Sequence, residues 1–209
     1  MEDLFYGNLD KSGLEVAKRV IPSSYFIIDE FTQIIYEPPS LDKTENEVRD
    51  LLNNLNIDKL NKSIDKSLNS HLYDESVKLG FSKSFIYKYQ EVTKHVLNPI
   101  IMNLKEYWNR ARPYQYAYLF SIPLHPFDTH SGHSPSYPSG HTLQAECWGE
   151  LAKNLYPEKN NQINKVVNKI NLSRMELGVH FKSDIEFSKE ICLFMLENKY
   201  LSSDIENYK

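Results

Sequence analysis

The sequence predicts an all-α protein, a single-domain helical bundle with its active site at helix ends. Three observations carry that prediction. Apolar residues recur at three- and four-residue steps from Val48 to Met195, the spacing of buried helix faces. Prolines and Gly178 punctuate those segments at intervals that suit helix breaks. No internal repeat, low-complexity linker or domain boundary is visible, and 209 residues are enough for one sizeable core.

Taken in order, residues 1–40 are the hardest to read. Tyr25 to Tyr36 is rich in aromatic and β-branched residues, ends at Pro38-Pro39, and suits a buried helix or an extended segment equally. Thr44 with Glu47 predicts a capping box ahead of Val48, Leu51, Leu52 and Leu55 on one helix face. Leu60, Ile64 and Leu68 repeat the pattern. Phe85, Tyr89, Val92 and Val96 predict a third helix, and Ile100, Ile101, Leu104 and Trp108 a fourth that Pro113 stops. Tyr114 to Tyr137 reads as a long connection with Pro123, Pro126, Pro135 and several histidines, and such a loop in a compact domain is usually functional. Leu143, Trp148, Leu151 and Leu155 define a helix that opens at Ser139. Ile163 to Leu172 forms another, and Phe187, Ile191, Phe194 and Met195 mark the last. The motif-bearing core then spans about 85–200, behind an N-terminal helical extension of about 1–84.

Composition narrows the function classes. A charged share of 25% and a hydrophobic share of 41% are ordinary for a soluble globular protein. The formal charge of -4 argues against a general nucleic-acid partner, which calls for a basic surplus. No apolar run is long enough to span a membrane, and Met-Glu-Asp-Leu does not open a signal peptide. Cys147 and Cys192 sit in apolar helical patterns and read as buried free thiols. A cytoplasmic location is the expectation.

Three short motifs supply the chemistry. Lys105 and Arg112-Pro113 come first; with two helical turns between them, both cations are expected on one helix face. Pro138-Ser139-Gly140-His141 should form a helix N-terminus, where free N–H groups and the helix dipole favour an anion. Gly140 would let that anion approach the backbone. His141 is the odd residue there, because its charge suits the positive end of a helix only if an anion is present. Ser173-Arg174 ends a helical pattern at Gly178, and His180 to Asp184 is an i, i+4 step that lets the carboxylate reach the imidazole. A carboxylate on one ring nitrogen leaves a lone pair on the other, which prepares a nucleophile. Each motif alone has a plainer explanation: a solvated cationic stripe, a serine N-cap, a surface His–Asp pair. Their conjunction divides the work of a phosphate site among clamps, acid and nucleophile.

The set resembles the superfamily of type 2 phosphatidic acid phosphatases, class A non-specific acid phosphatases and vanadium-dependent haloperoxidases. Every residue of the three patterns matches, and Ser-Tyr-Pro-Ser-Gly-His-Thr at 136–142 is most similar to the soluble acid phosphatases. The resemblance covers residues 105–184. It implies that Lys105, Arg112 and Arg174 grip phosphate oxygens, that Ser139 and the backbone of Gly140 complete the cradle, and that His180 forms a phosphohistidine oriented by Asp184. His141 would protonate the leaving oxygen and later activate water. Phosphoryl transfer is chiefly positioning and charge stabilisation, so no metal cofactor is needed beside three cations. Ile185, Glu186 and Phe187 depart from the small residues common after the last aspartate, which bears on last-helix packing and on the homodimer the family admits.

The leading expectation is a metal-independent phosphatase acting on a small phosphorylated substrate, a phosphomonoester. The alternatives are a vanadium-dependent haloperoxidase, with vanadate held in the same pocket, and a non-catalytic phosphate-binding module. Thr142 and the short chain favour phosphatase, and the His180–His141 pair exceeds what binding requires. His125, Asp128, His130 and His133 match no familiar metal-ligand spacing and are expected to line or cover the pocket mouth or to be simply solvated. Of the fourteen tyrosines, Tyr137 is expected to touch substrate.

Overall fold

The computed structural model describes residues 37–56, 58–124, 129 and 131–201, and these form an all-α bundle. Tyr25 to Tyr36 lies outside them. In chain order the helices are α1 (Leu41–Asn54), α2 (Lys59–Lys66), α3 (Leu68–Lys78), α4 (Lys83–Val92), α5 (Asn98–Trp108), α6 (Pro113–Leu119), α7 (Gly140–Leu155), α8 (Asn160–Glu176) and α9 (Lys182–Glu197). A π-turn, Thr93–Leu97, joins α4 to α5, and a 3-10 turn, Pro157–Lys159, precedes α8.

Local chemistry sets these boundaries, and several differ from the sequence expectation. Leu60, Ile64 and Leu68 do not share one helix, because Ser67 leaves the helical region and its hydroxyl accepts from Ser70 N at 3.3 Å, capping α3. Ile64 and Leu68 are buried, whereas Leu60 is 40% exposed. The expected third and fourth helices are one continuous run. Pro99 cannot donate to the carbonyl four residues earlier, and the π-turn before it accommodates the missing bond. Pro113 does not stop α5, which ends at Asn109 in a left-handed conformation (φ 43°). Instead Pro113 opens α6, where its missing N–H costs nothing. The long connection is correspondingly shorter than Tyr114 to Tyr137, since its first turns are helical.

Two apolar clusters hold the bundle. The larger joins Ile64, Leu72, Phe85, Leu104, Leu143, Trp148, Ile170 and Ile191, so α2 and α3 belong to the same core as the motif-bearing helices. Burying side chains such as Ile64, Leu104 and Leu143 contributes about 2 kcal/mol each. Helices α7 and α8 approach closely at Gly149, where a Cβ would come within 2.7 Å of Val167. Cys147 on α7 and Cys192 on α9 are buried free thiols, as expected, with sulfurs 3.1 Å apart. The smaller cluster joins Val48 and Leu51 of α1 to Ala117 of α6, Ala111 and Phe181. Ile185 and Phe187, the departures after Asp184, are buried too.

Candidate active site

The candidate site lies where these two clusters meet. Its residues adjoin members of both: Arg112 follows Ala111, His180 precedes Phe181, and Lys105 follows Leu104. All three motifs converge there, although not in the way their spacing suggested. Lys105 sits on the last turn of α5 and Arg112 is the N-cap residue of α6, so a left-handed break, and not a shared helix face, brings them together.

Arg112 is buried and anchored by backbone. Its Nε donates to Ser134 O at 2.7 Å, Nη1 to Val179 O at 2.7 Å and Nη2 to Ser131 O at 2.9 Å. Lys105 is equally buried and donates to the carbonyl of Pro135. Burial, then the neighbouring Arg112, pushes its ammonium well below the usual lysine range. Arg174, near the end of α8, pairs through Nη2 with Asp65 of α2 at 3.2 Å. Its Nε and Nη1 are buried and have no acceptor among the described residues. Burial lowers this guanidinium to about 10 against the pull of Asp65.

The helix N-terminus expected at Ser139 is present, preceded by a cis Tyr137–Pro138 bond. Ser139 caps α7, accepting from Thr142 Oγ1 at 2.9 Å and Thr142 N at 3.4 Å, and keeps its own O–H proton to give. A Cβ at Gly140 would lie 3.1 Å from Ile101, so close packing on α5 is a second reason for glycine there. His141 is half-buried in the first turn, hydrogen-bonded to the backbone of Ile64. Burial, then Arg174, Arg112 and Lys105, depresses its imidazole well below the usual range.

The nucleophile expected from the third motif is well oriented. Gly178 takes φ 68° and ends α8, as predicted. Asp184 is the third residue of α9, and its Oδ2 accepts from His180 Nδ1 at 3.0 Å and from Phe181 N at 3.0 Å. On the other side of the ring, Arg112 Nη1 donates to His180 Nε2 at 3.0 Å. These two contacts require the Nδ1–H tautomer, with the Nε2 lone pair toward the cations. Burial, then Arg112, Lys105 and Arg174, holds the His180 imidazole well below its ordinary value. Burial pushes the Asp184 carboxyl up to about 6, opposed first by Arg110.

Sequence reasoning missed three side chains. Asp65 orients Arg174, and the Ser131 hydroxyl donates to Asp65 while its carbonyl takes Arg112, linking two guanidiniums. Arg110 pairs with Asp184 Oδ1 at 2.6 Å and with Glu47 at 3.0 Å. The Thr44–Glu47 capping box does not form, because α1 starts at Leu41 with Ser40 before it. Thr44 and Glu47 face Arg110 instead. Tyr137 does not line the mouth: it is 2% exposed and stacked on Phe187 at 4.2 Å. Of the loop residues proposed at the mouth, His133 is exposed, and His125, Asp128 and His130 lie outside the described residues.

An α-helical bundle with a buried His–Asp dyad beside three cations is therefore what the chain offers. No family model matches it, and no curated protein does. No helix among the described residues is long and apolar enough to cross a membrane.

Proposed function

We propose that the chain is a phosphatase that hydrolyses phosphomonoesters through a phosphohistidine on His180. The observation that carries this is Arg174: its buried Nε and Nη1 have no acceptor among the described residues, and its charge bears on both His180 and His141. Buried donors of this kind cost free energy unless something accepts from them, and a phosphate oxygen suits them.

The residues divide the steps among themselves. Lys105, Arg112 and Arg174 hold the non-bridging oxygens, with the Ser139 hydroxyl and the N-terminal amides of α7. Arg112 exchanges its bond to Nε2 for a phosphate oxygen as the ester arrives. His180 Nε2 then forms a bond to phosphorus while the ester P–O bond breaks and the leaving oxygen takes a proton from His141. Asp184 accepts from Nδ1–H throughout and stabilises the charge that develops on the ring. In the second step water gives a proton to His141, its oxygen bonds to phosphorus, and the N–P bond breaks to return His180 and release phosphate.

Burial and then three cations depress His141, and a bound phosphate offsets the cations and so favours the protonated acid. A mere binding module would have no use for that acid or for the dyad, which favours turnover over the phosphate-binding alternative. Vanadate in the same cluster would be an inhibitor of this reaction.

The test is hydrolysis of p-nitrophenyl phosphate by the purified chain, with acid-labile phosphate trapped on His180. Removal of His180 should cut kcat by about 10⁴-fold or more. Undiminished turnover in His180→Ala would falsify the mechanism. Peroxide-dependent bromide oxidation by the vanadate-loaded chain, at rates above any ester hydrolysis, would transfer the assignment to haloperoxidase.

A further inference from the structure

Arg110 is one of the most deeply buried charges among the described residues, and the two steps above leave it unused. It lies 2% exposed between two acidic groups from opposite ends of the chain. We propose that Arg110 is a positioning residue for the proposed phosphoryl transfer: braced by Glu47, it grips the outer oxygen of Asp184 and so holds His180 in its Nδ1–H form. The proposal rests on the phosphatase reading for its reaction, but its geometry stands independently of turnover.

Asp184 gives each oxygen a separate duty. Oδ2 accepts from His180 Nδ1 and Phe181 N, both at 3.0 Å. Oδ1 accepts from Arg110 Nη1 at 2.6 Å and from Ser136 Oγ at 3.5 Å. Donors on both oxygens lock the carboxylate plane and therefore the direction in which it presents Oδ2 to the ring. Arg110 sits behind the carboxylate, on the oxygen that does not face His180, so it acts through Asp184 and not on substrate.

Both terminal nitrogens of Arg110 are held, while its Nε is buried without an acceptor among the described residues. Nη2 donates to Glu47 Oε2 at 3.0 Å and Thr44 Oγ1 at 3.3 Å, and Nη1 also donates to Ser183 Oγ at 2.8 Å. Its guanidinium lies 4.0 Å from the ring centroid of Phe181 and 5.7 Å from that of Tyr137. Glu47 does a second job, accepting from Ser183 N and Ser183 Oγ at 2.8 Å each, which pins α1 to the first turn of α9. A planar fork can serve Asp184 and Glu47 at once; a lysine ammonium in the same place can hold one of them well. Burial, which pushes the Asp184 carboxyl up to about 6, is opposed most strongly by Arg110.

The alternative is an arginine that only cements the fold, and the experiment separates the two. The full chain and its Arg110→Gln, Arg110→Lys and Glu47→Gln variants are compared in kcat and KM for p-nitrophenyl phosphate, and in His180 ring-nitrogen shifts by ¹⁵N NMR. We expect Arg110→Gln to lower kcat about 100-fold with KM within about threefold, Glu47→Gln to lower kcat about tenfold, and Arg110→Lys to fall between. The Nδ1–H signature of the full chain should give way to mixed tautomers in Arg110→Gln. A folded Arg110→Gln with unchanged kcat and unchanged nitrogen shifts overturns the proposal, as does a rise in KM alone. Should Arg110→Gln fail to fold, Glu47→Gln decides by the same readouts. Should the full chain hydrolyse nothing, the phosphatase reading fails, and the tautomer comparison still judges Arg110.

Discussion

The two nitrogens of the His180 ring face two differently built halves of the site. Behind Nδ1, Asp184, Arg110 and Glu47 alternate in charge and are linked at 2.6 to 3.0 Å, so that half pairs its charges within the chain, with Arg110 Nε alone of these linked groups left without an acceptor among the described residues. Beyond Nε2, Arg112 and Lys105 lean on backbone carbonyls and Arg174 keeps two buried donors unused. One half pairs its charges within the chain. The other half calls for an anion from outside, and that asymmetry separates the orientation of a nucleophile from the recognition of its target.

Substitutions can break the contrast, the completed half most severely. Asp184→Asn removes the negative charge and leaves one accepting oxygen where two are used, so either Arg110 or His180 meets an amide N–H in place of its acceptor. It should cost about 3 kcal/mol of stability in a denaturant melt and about 10⁴-fold in kcat. A variant as stable as the full chain would mean that this half does not depend on the charge pairing described. On the other side, Arg174→Lys keeps the charge and can keep the Asp65 pair, yet loses the unused fork. A fall of about 100-fold in kcat/KM, with an unchanged melt, is expected.

Protons sharpen the contrast further. Asp184, pushed up to about 6, gains a proton as pH falls through that value, and His180 Nδ1 then loses its anionic acceptor. The acid limb of kcat/KM should therefore turn down near pH 6, with activity present above it and lost below. His141 moves the other way, since a bound anion offsets the cations that add to burial in depressing it. Phosphate binding at pH 7 should take up about one proton, weakening affinity by up to about tenfold per pH unit upward. Calorimetry in buffers of different ionisation enthalpy reads this directly, and zero uptake would contradict the role given to His141. The smallest effect is the most telling. Lys105→Met removes a buried charge and should raise stability by about 1 kcal/mol while abolishing phosphate affinity. A destabilised Lys105→Met would place that lysine among the groups that complete the fold.

The parts legible in the sequence are those whose signal is local. Helix faces were readable because burial repeats with the helical period, as at Val48 and Leu51 or Leu143 and Leu151. The His180–Asp184 contact was readable because four residues across a helix start bring the groups together. What stayed hidden were partners distant in the chain. Asp65 meets Arg174 across 109 positions, and Glu47 meets Arg110 across 63. No spacing announces such a pair. Thr44 and Glu47 showed how a local pattern can mislead, since the same residue types that cap helices also fit a buried guanidinium. Tyr137 misled through adjacency alone, because a neighbour of Pro138-Ser139 in sequence points into the core in space.

The π-turn at Thr93–Leu97 also bears on how this site tolerates change in chain length. It accommodates one residue more than an uninterrupted α-helix would hold, with Ile86 and Tyr89 on one side of it and Ile101 and Lys105 on the other. Delete a single residue there and one half of the long helix must rotate by about 100° to stay helical. Lys105 and Arg112 would then turn together relative to Ile86 and Tyr89 with every motif residue still in the sequence, so a match to the three patterns would persist in a relative whose long helix packs differently.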